Sequence, residues 1–260
     1  MNSIEMLREF LKDTIRLKID FRTSDQSRGV PMPPMEQPTR SDQVRIALAD
    51  PLSFLPLGAK TPVSEAIARR RSRRNFSETP LTLEQLSFLL WATQGQRQPE
   101  KKTPHFRTVP SAGARHSFET FLFINRVNSV TPGLYRFLPL SNELALHYKT
   151  DETIESTLSA AVLGQSFVAR AAAVFVWTTI PYRMEWRYRE AAHRVILIDA
   201  GHVCQNLYLA AESIGVGTCA IAAYDQQAMD RLLGVDGEDQ FTVYLAPVGK
   251  TVNNEEHNQS

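Results

Sequence analysis

Residues 190–213 read as one long helix, and its middle, Val195-Ile196-Leu197-Ile198-Asp199-Ala200-Gly201, is apolar on almost every side. A helix of that kind has to be covered on most faces, by a domain core or by a second subunit. Gly215 stands just past its end, where a C′ glycine closes the last turn. The rest of the chain must therefore build a layer around this helix. With 260 residues, 43% of them apolar and 22% charged, it is large enough to do so without disulfides or a structural metal.

The flanking pattern mixes strands with helices. Ala172–Ile180 is an almost unbroken apolar run, as expected of a central strand. Ser117–Asn125 is rich in aromatic residues and reads as another strand. Leu134–Phe137 and Glu143–Tyr148 form a hairpin behind the Pro132-Gly133 turn, and Phe241–Val248 is the last strand. The segment Gly217–Tyr224 is also expected to be a strand, and 152–168 and Gln226–Leu233 to be helices. Ser64 is placed to cap a short helix over Glu65–Arg71. Thr82 and Gln85 form a capping box for a helix that points Leu86, Leu89, Leu90 and Trp91 inward and stops at Gly95. Gln96–Thr108 is polar and basic, hence a loop.

Residues 1–20 carry Ile4, Leu7, Phe10, Leu11, Ile15 and Leu17 near helical spacing. Seven prolines then make 21–62 an extended arm that wraps a surface, its own or a partner's. The expected organisation is a helix and arm over 1–60, a compact domain over 61–252 and a tail over 253–260.

Twenty-nine basic against 28 acidic residues leave a formal net charge of +1, so no global field recruits nucleic acid or an anionic membrane. The N-terminus has no basic region followed by an apolar run, and no apolar stretch is long enough for a membrane span. A cytoplasmic protein is expected. Cys204 and Cys219 lie in apolar stretches without metal or redox spacing and read as buried, inert thiols. The histidines are scattered, and no metal site is expected. Rossmann, P-loop, serine-hydrolase and zincin motifs are all missing.

Four segments could carry chemistry. Arg69–Arg74 packs five arginines around Ser72 where a helix breaks. Such forks match phosphate oxygens bidentately, although a solvated basic patch has the same composition. Gly215–Ala223 sets three alanines where a strand favours bulky residues; a flat ligand close to the backbone explains that, and so does tight packing. The turn Arg107–Ala114, of small residues, could line a ligand or be an ordinary turn. Glu185–Arg189 places Tyr188 between two arginines, which would favour its ionised form, or it simply starts a helix.

In this order the segments resemble the nitroreductase-like FMN oxidoreductases, and within them the SagB/ThcOx-type dehydrogenase branch that includes azoline oxidases. The similarity runs from about Ser64 to Lys250. It is carried by Arg70-Arg71-Ser72-Arg73-Arg74-Asn75-Phe76, Leu89–Gly95, Thr108–Ala114, Gly133-Leu134-Tyr135, Asp199-Ala200-Gly201-His202 with Gln205-Asn206, and Pro247-Val248-Gly249-Lys250. The resemblance implies an α+β nitroreductase-like fold: a mixed, mostly antiparallel central sheet flanked by helices, a long buried central helix, and an intertwined homodimer with two FMN sites built from both chains. By that analogy Arg70, Arg71, Ser72 and Arg74 hold the flavin phosphate and ribityl chain, with Lys250 in addition. Pro110, Ser111 and Ala112 lie against the ring from the other subunit. Ala220, Ile221, Ala222 and Ala223 present backbone to its edge. Arg69 and Arg73 fall outside the motif and are expected to face water.

The implied activity is hydride transfer at flavin N5 on a small organic or peptide-derived substrate. The alternatives are an NAD(P)H-dependent nitro or quinone reductase and a non-catalytic flavin-binding scaffold. Azoline oxidases carry a Lys-Tyr pair before the long helix, and here that pair is Arg187-Tyr188. Arginine stays protonated, so proton work would fall to Tyr188.

Overall fold

The computed structural model describes residues 2–50, 53, 61–97 and 106–252. The expected tail over 253–260, most of 51–60 and much of the Gln96–Thr108 loop lie outside them. The named elements are α1 (Ser3–Leu11), β1 (Arg45–Ala47), α2 (Val63–Arg69), α3 (Leu83–Gln94), β2 (Phe118–Ile124), β3 (Gly133–Leu138), β4 (Glu143–Lys149), α4 (Ile154–Ala161), α5 (Ser166–Ala169), β5 (Ala173–Thr179), α6 (Tyr182–Tyr188), α7 (Ala192–Ser213), β6 (Val216–Thr218), α8 (Gln226–Leu233) and β7 (Phe241–Lys250).

The strands form one seven-stranded sheet in the order β1-β4-β3-β2-β5-β7-β6, and every pair of named strands is antiparallel. Strands β2, β3 and β5 are buried at every residue, because helices cover both faces of the sheet. Their continuous apolar runs still obey the two-residue period of a strand. Leu122, Ile124, Phe175 and Trp177 face a core closed by Leu86, Leu89 and Leu90 of α3 and by Ile196, Val203 and Leu207 of α7. Phe121, Phe123, Val174 and Val176 face the opposite core, under Leu158 of α4, Val168 of α5 and Met229 and Leu233 of α8.

Several local readings hold. Thr82 and Gln85 make both halves of a capping box, and α3 ends at Gly95. Cys204 and Cys219 are buried and unpaired; burial pushes the Cys204 thiol up to about 12. Other readings need correcting. The cap of α2 is Pro62, whose carbonyl accepts from the amides of Glu65 and Ala66, so Ser64 lies inside the helix. The helix expected over 152–168 is two short ones, broken at Leu163 and Gly164, both at positive φ. Of the strand expected over Gly217–Tyr224, only Gly217 and Thr218 fall in the regular strand β6. Beyond it the ladder is interrupted, because the Ala220 amide bonds to a tyrosine hydroxyl instead of a neighbouring strand, and only Ile221 pairs again, as an isolated bridge to Leu245 of β7. Strand β1, within the proline-rich arm, carries too few residues for a sequence pattern.

The arm lies against its own chain. Arg107 donates to the Met35 carbonyl, and Arg136 to those of Gln37 and Pro38. Glu119 accepts from the Gln37 amide, and the Trp186 indole donates to Val30 O. Helix α1 has no buried residue, and its end is tied to α7 by Arg194, which donates to the Leu11 carbonyl.

Candidate active site

Helix α2 stops at Arg69 because Arg70 turns to an extended conformation, φ −52° and ψ 126°. The arginines that follow therefore fan out along an extended segment. That segment is held against the β6–β7 edge: the Arg73 amide donates to Thr218 O at 2.9 Å, and the Ser77 amide to Lys250 O at 2.7 Å. Gly217 permits the approach, since a Cβ there would stand 3.0 Å from Arg73 Cβ. The Arg73 guanidinium reaches Glu212 of α7 at 3.3 Å and is three-quarters buried, so it ties the turn to the helix rather than facing water. Arg69 pairs with Glu65 and is exposed, as expected.

The other arginines are differently placed. Arg70 stacks on the Tyr208 ring at 5.3 Å and Arg74 on Phe167 at 6.0 Å, while Arg71 is exposed. Among the described residues no carboxylate pairs with Arg70, Arg71 or Arg74. Three uncompensated guanidinia on one extended segment are a fit for a dianion.

Tyr208, on α7, links this turn to the alanine segment. Its hydroxyl accepts from the Ala220 amide at 2.8 Å and lies 2.8 Å from Ser72 Oγ. Ala220 is half-buried, Ile221 is buried and bridges to Leu245, and Ala222 and Ala223 are exposed, leaving an accessible backbone without bulky side chains. Lys250 ends β7 opposite Val216. The arginine turn, the alanines and Lys250 thus share one end of the molecule. Sequence reading missed Tyr208, because one aromatic on an apolar helix looks like core.

The second group sits elsewhere on α7. Asp199, 3% exposed, accepts from the Ala112 amide at 3.2 Å; burial holds its carboxyl above the usual range despite that bond and one from Ser111. The Ser111 hydroxyl in turn accepts from the His116 amide. The turn is strained: Gly113, Ala114 and His116 have φ of 56°, 53° and 48°. Gly113 lets α6 close over it, since a Cβ there would stand 2.6 Å from Tyr188 Oη and 3.2 Å from Arg187 Cδ. The structure thus brings Pro110–Ala112 and Arg187-Tyr188 together. They flank a cavity of ≈ 670 Å³ lined by Arg97, Phe106, Val109, Pro110, Arg115 and Arg187, among others.

Within one chain these two groups stay apart. Asp199 and Tyr208 are nine residues apart on the helix, about 13 Å of rise. Among the described residues no cluster of His, Cys, Asp and Glu could hold a metal, and no helix is long and apolar enough to cross a membrane.

Comparison with known proteins agrees with this architecture. The family model "Nitroreductase family" matches residues 67–250. MJ1384, a nitroreductase relative from Methanocaldococcus jannaschii, is 30% identical over 198 residues, 76% of this chain and 96% of its own. A nitroreductase structure from Anabaena variabilis superposes with a TM-score of 0.66 at 22% identity, over 82% of this chain but only 42% of that one. A chain of the E. coli microcin synthetase McbBCD complex, solved with truncated pro-MccB17 bound, gives a TM-score of 0.59 at 17% identity and covers 97% of this chain and 98% of its own. The antiparallel sheet around a long central helix is the nitroreductase-like fold, and the chain belongs to the nitroreductase family of oxidoreductases.

Proposed function

We propose that this protein is an FMN-dependent oxidoreductase of the SagB type, acting as a homodimer on a small organic or peptide-derived substrate. The observation that carries the reading is the Tyr208 hydroxyl between Ser72 and Ala220, which joins a phosphate-matched arginine turn to a bare backbone edge suited to a flat ring. Arg70, Arg71 and Arg74 would hold the phosphate, Ser72 and Lys250 would add donors, and Ala220–Ala223 would border the isoalloxazine. Bound FMN supplies hydride transfer at N5. The separation along α7 supports a site shared by two chains, Pro110–Ala112 of one subunit completing the pocket of the other. Tyr188, whose hydroxyl lies over Gly113 at the cavity, is the group to exchange a proton with substrate; Arg187 would hold charge beside it. The McbBCD likeness supports peptide-derived substrates over a general nitro or quinone reductase.

The experiment is direct. The purified protein should be yellow with the FMN spectrum, and Arg70→Ala with Arg71→Ala should lose flavin, each substitution costing about 1.5–3 kcal/mol of binding. Unchanged FMN retention in the double variant would refute the phosphate site. Anaerobic bleaching by NADH or NADPH would favour the nicotinamide-dependent reductase. Tyr188→Phe should keep FMN and slow turnover.

A further inference from the structure

The cavity beside α6 is lined by four arginines, and none of its described lining residues is an acid. Arg115 and Arg187 stand close enough that, after burial, the Arg187 charge is the main influence holding the Arg115 pKa down. Arg115 stacks on Trp186 at 5.3 Å and donates only to the Gly113 carbonyl, and Arg187 stacks on Tyr188 at 5.5 Å. Arg97 also lines the cavity. No described carboxylate pairs with any of the three, whereas Arg107, in the same wall, is engaged by Gln94, Phe118 O and Met35 O. Two neighbouring cations without an acid repel one another, and a bound anion relieves that repulsion. Phe106, Val109, Pro110 and Ala114 give the cavity an apolar surface, with Thr108, Ser111 and His116 beside them. One wall of the cavity holds strained backbone, Ala114 at φ 53° and His116 at φ 48°. Strain of this kind persists where the surroundings over-determine a geometry, as at binding sites.

We propose that this cavity binds a substrate that carries a carboxylate on an apolar body, the carboxylate held by Arg115 and Arg187, with Arg97 adding positive charge to the wall, and the body against Phe106 and Pro110. As a substrate assignment it rests on the oxidoreductase reading above; as a binding site it stands without it. A forked guanidinium fits a planar carboxylate bidentately, and a cavity of ≈ 670 Å³ is of the size that encloses a small organic molecule.

The test is calorimetric titration of the purified protein, flavin included, with benzoate, benzamide and phenyl phosphate. Benzoate should bind at least about tenfold more tightly than benzamide, and the preference should shrink as NaCl is raised. Arg115→Gln should reduce it to about unity while the circular dichroism spectrum and FMN content stay as in the parent; Arg115→Lys should restore part of it. Equal affinity for benzoate and benzamide in the parent protein overturns the proposal, and so does tighter binding of phenyl phosphate. Loss of FMN in Arg115→Gln would assign Arg115 to the cofactor instead of a substrate carboxylate and also overturn it. FMN content of the parent, read on the same sample, separates these outcomes from a failure of the flavin assignment, because a flavin-free protein can still prefer benzoate.

Discussion

At the scale of single residues, Tyr208 and His116 do more than their composition suggests. The Tyr208 hydroxyl accepts from Ala220 and is left with a proton for Ser72, so Tyr208→Phe removes two hydrogen bonds and leaves the Ala220 amide unpaired. The expected cost is about 1–3 kcal/mol in denaturant unfolding, with faster FMN loss than in the parent. Unchanged flavin dissociation would separate Tyr208 from the cofactor site. His116 is pulled down to about 3 by burial, then by the charges of Arg107, Arg115 and Arg183. The unfolded chain therefore binds a proton below pH 6.5 that the folded one refuses. Stability is fully present above that pH and falls as pH drops toward about 3, by up to about 1.4 kcal/mol per unit. Asn tolerates the positive φ at this position and does not titrate, so His116→Asn should flatten the acid limb of a stability–pH curve; an unaltered slope would place the titration elsewhere. The arginine turn was legible in the sequence because five arginines in six residues are extreme by composition. The role of Arg73 was not, because its partner Glu212 is 139 residues away.

At the scale of elements, legibility followed how local the cause was. Helix α3 could be read to its ends because Thr82, Gln85 and Gly95 act within a turn. The break at Leu163-Gly164 and the early end of β6 depend on backbone conformations and on a distant tyrosine, which no periodicity records. The arm shows the same limit more strongly. Prolines announced an extended segment, but its anchor is a buried charge cluster contributed by other elements. Glu119, 2% exposed, meets Arg183 at 2.5 Å and Arg136 at 3.7 Å and also accepts from the Gln37 amide. Arg183 opens α6, so the cluster connects the arm to the helix that carries Arg187 and Tyr188. Glu119→Gln removes the only carboxylate paired with either arginine among the described residues and leaves two buried cations uncompensated. The expected loss is about 3–5 kcal/mol in urea denaturation, with earlier proteolytic cleavage within residues 25–44. A loss below about 1 kcal/mol would show that water reaches the cluster.

At the scale of the whole molecule, the sequence demanded cover on most sides of α7, and one chain supplies only part of it. Ile196, Val203 and Leu207 face the core, whereas Leu197 and Ile198 are 51% and 45% exposed and share a face with Gly201 and Gln205. Exposing such a face along a 22-residue central helix wastes apolar surface that a second copy would bury. Gly201 sharpens the argument. A glycine within a helix costs about 1 kcal/mol against alanine, yet among the described residues nothing outside its own helix backbone lies within 4 Å of where its Cβ would stand. Close approach of a second backbone gives that glycine a purpose, and the two separated halves of the proposed flavin site need the same approach. Light scattering on the eluting protein should therefore give twice the chain mass. Leu197→Glu with Ile198→Glu should give monomer and release FMN together. Gly201→Leu distinguishes the two environments most cleanly: on a solvent-facing helix it raises the unfolding midpoint through better helix propensity, whereas at a helix–helix contact it weakens the dimer. A more stable, still dimeric Gly201→Leu protein would place the subunit interface away from this face.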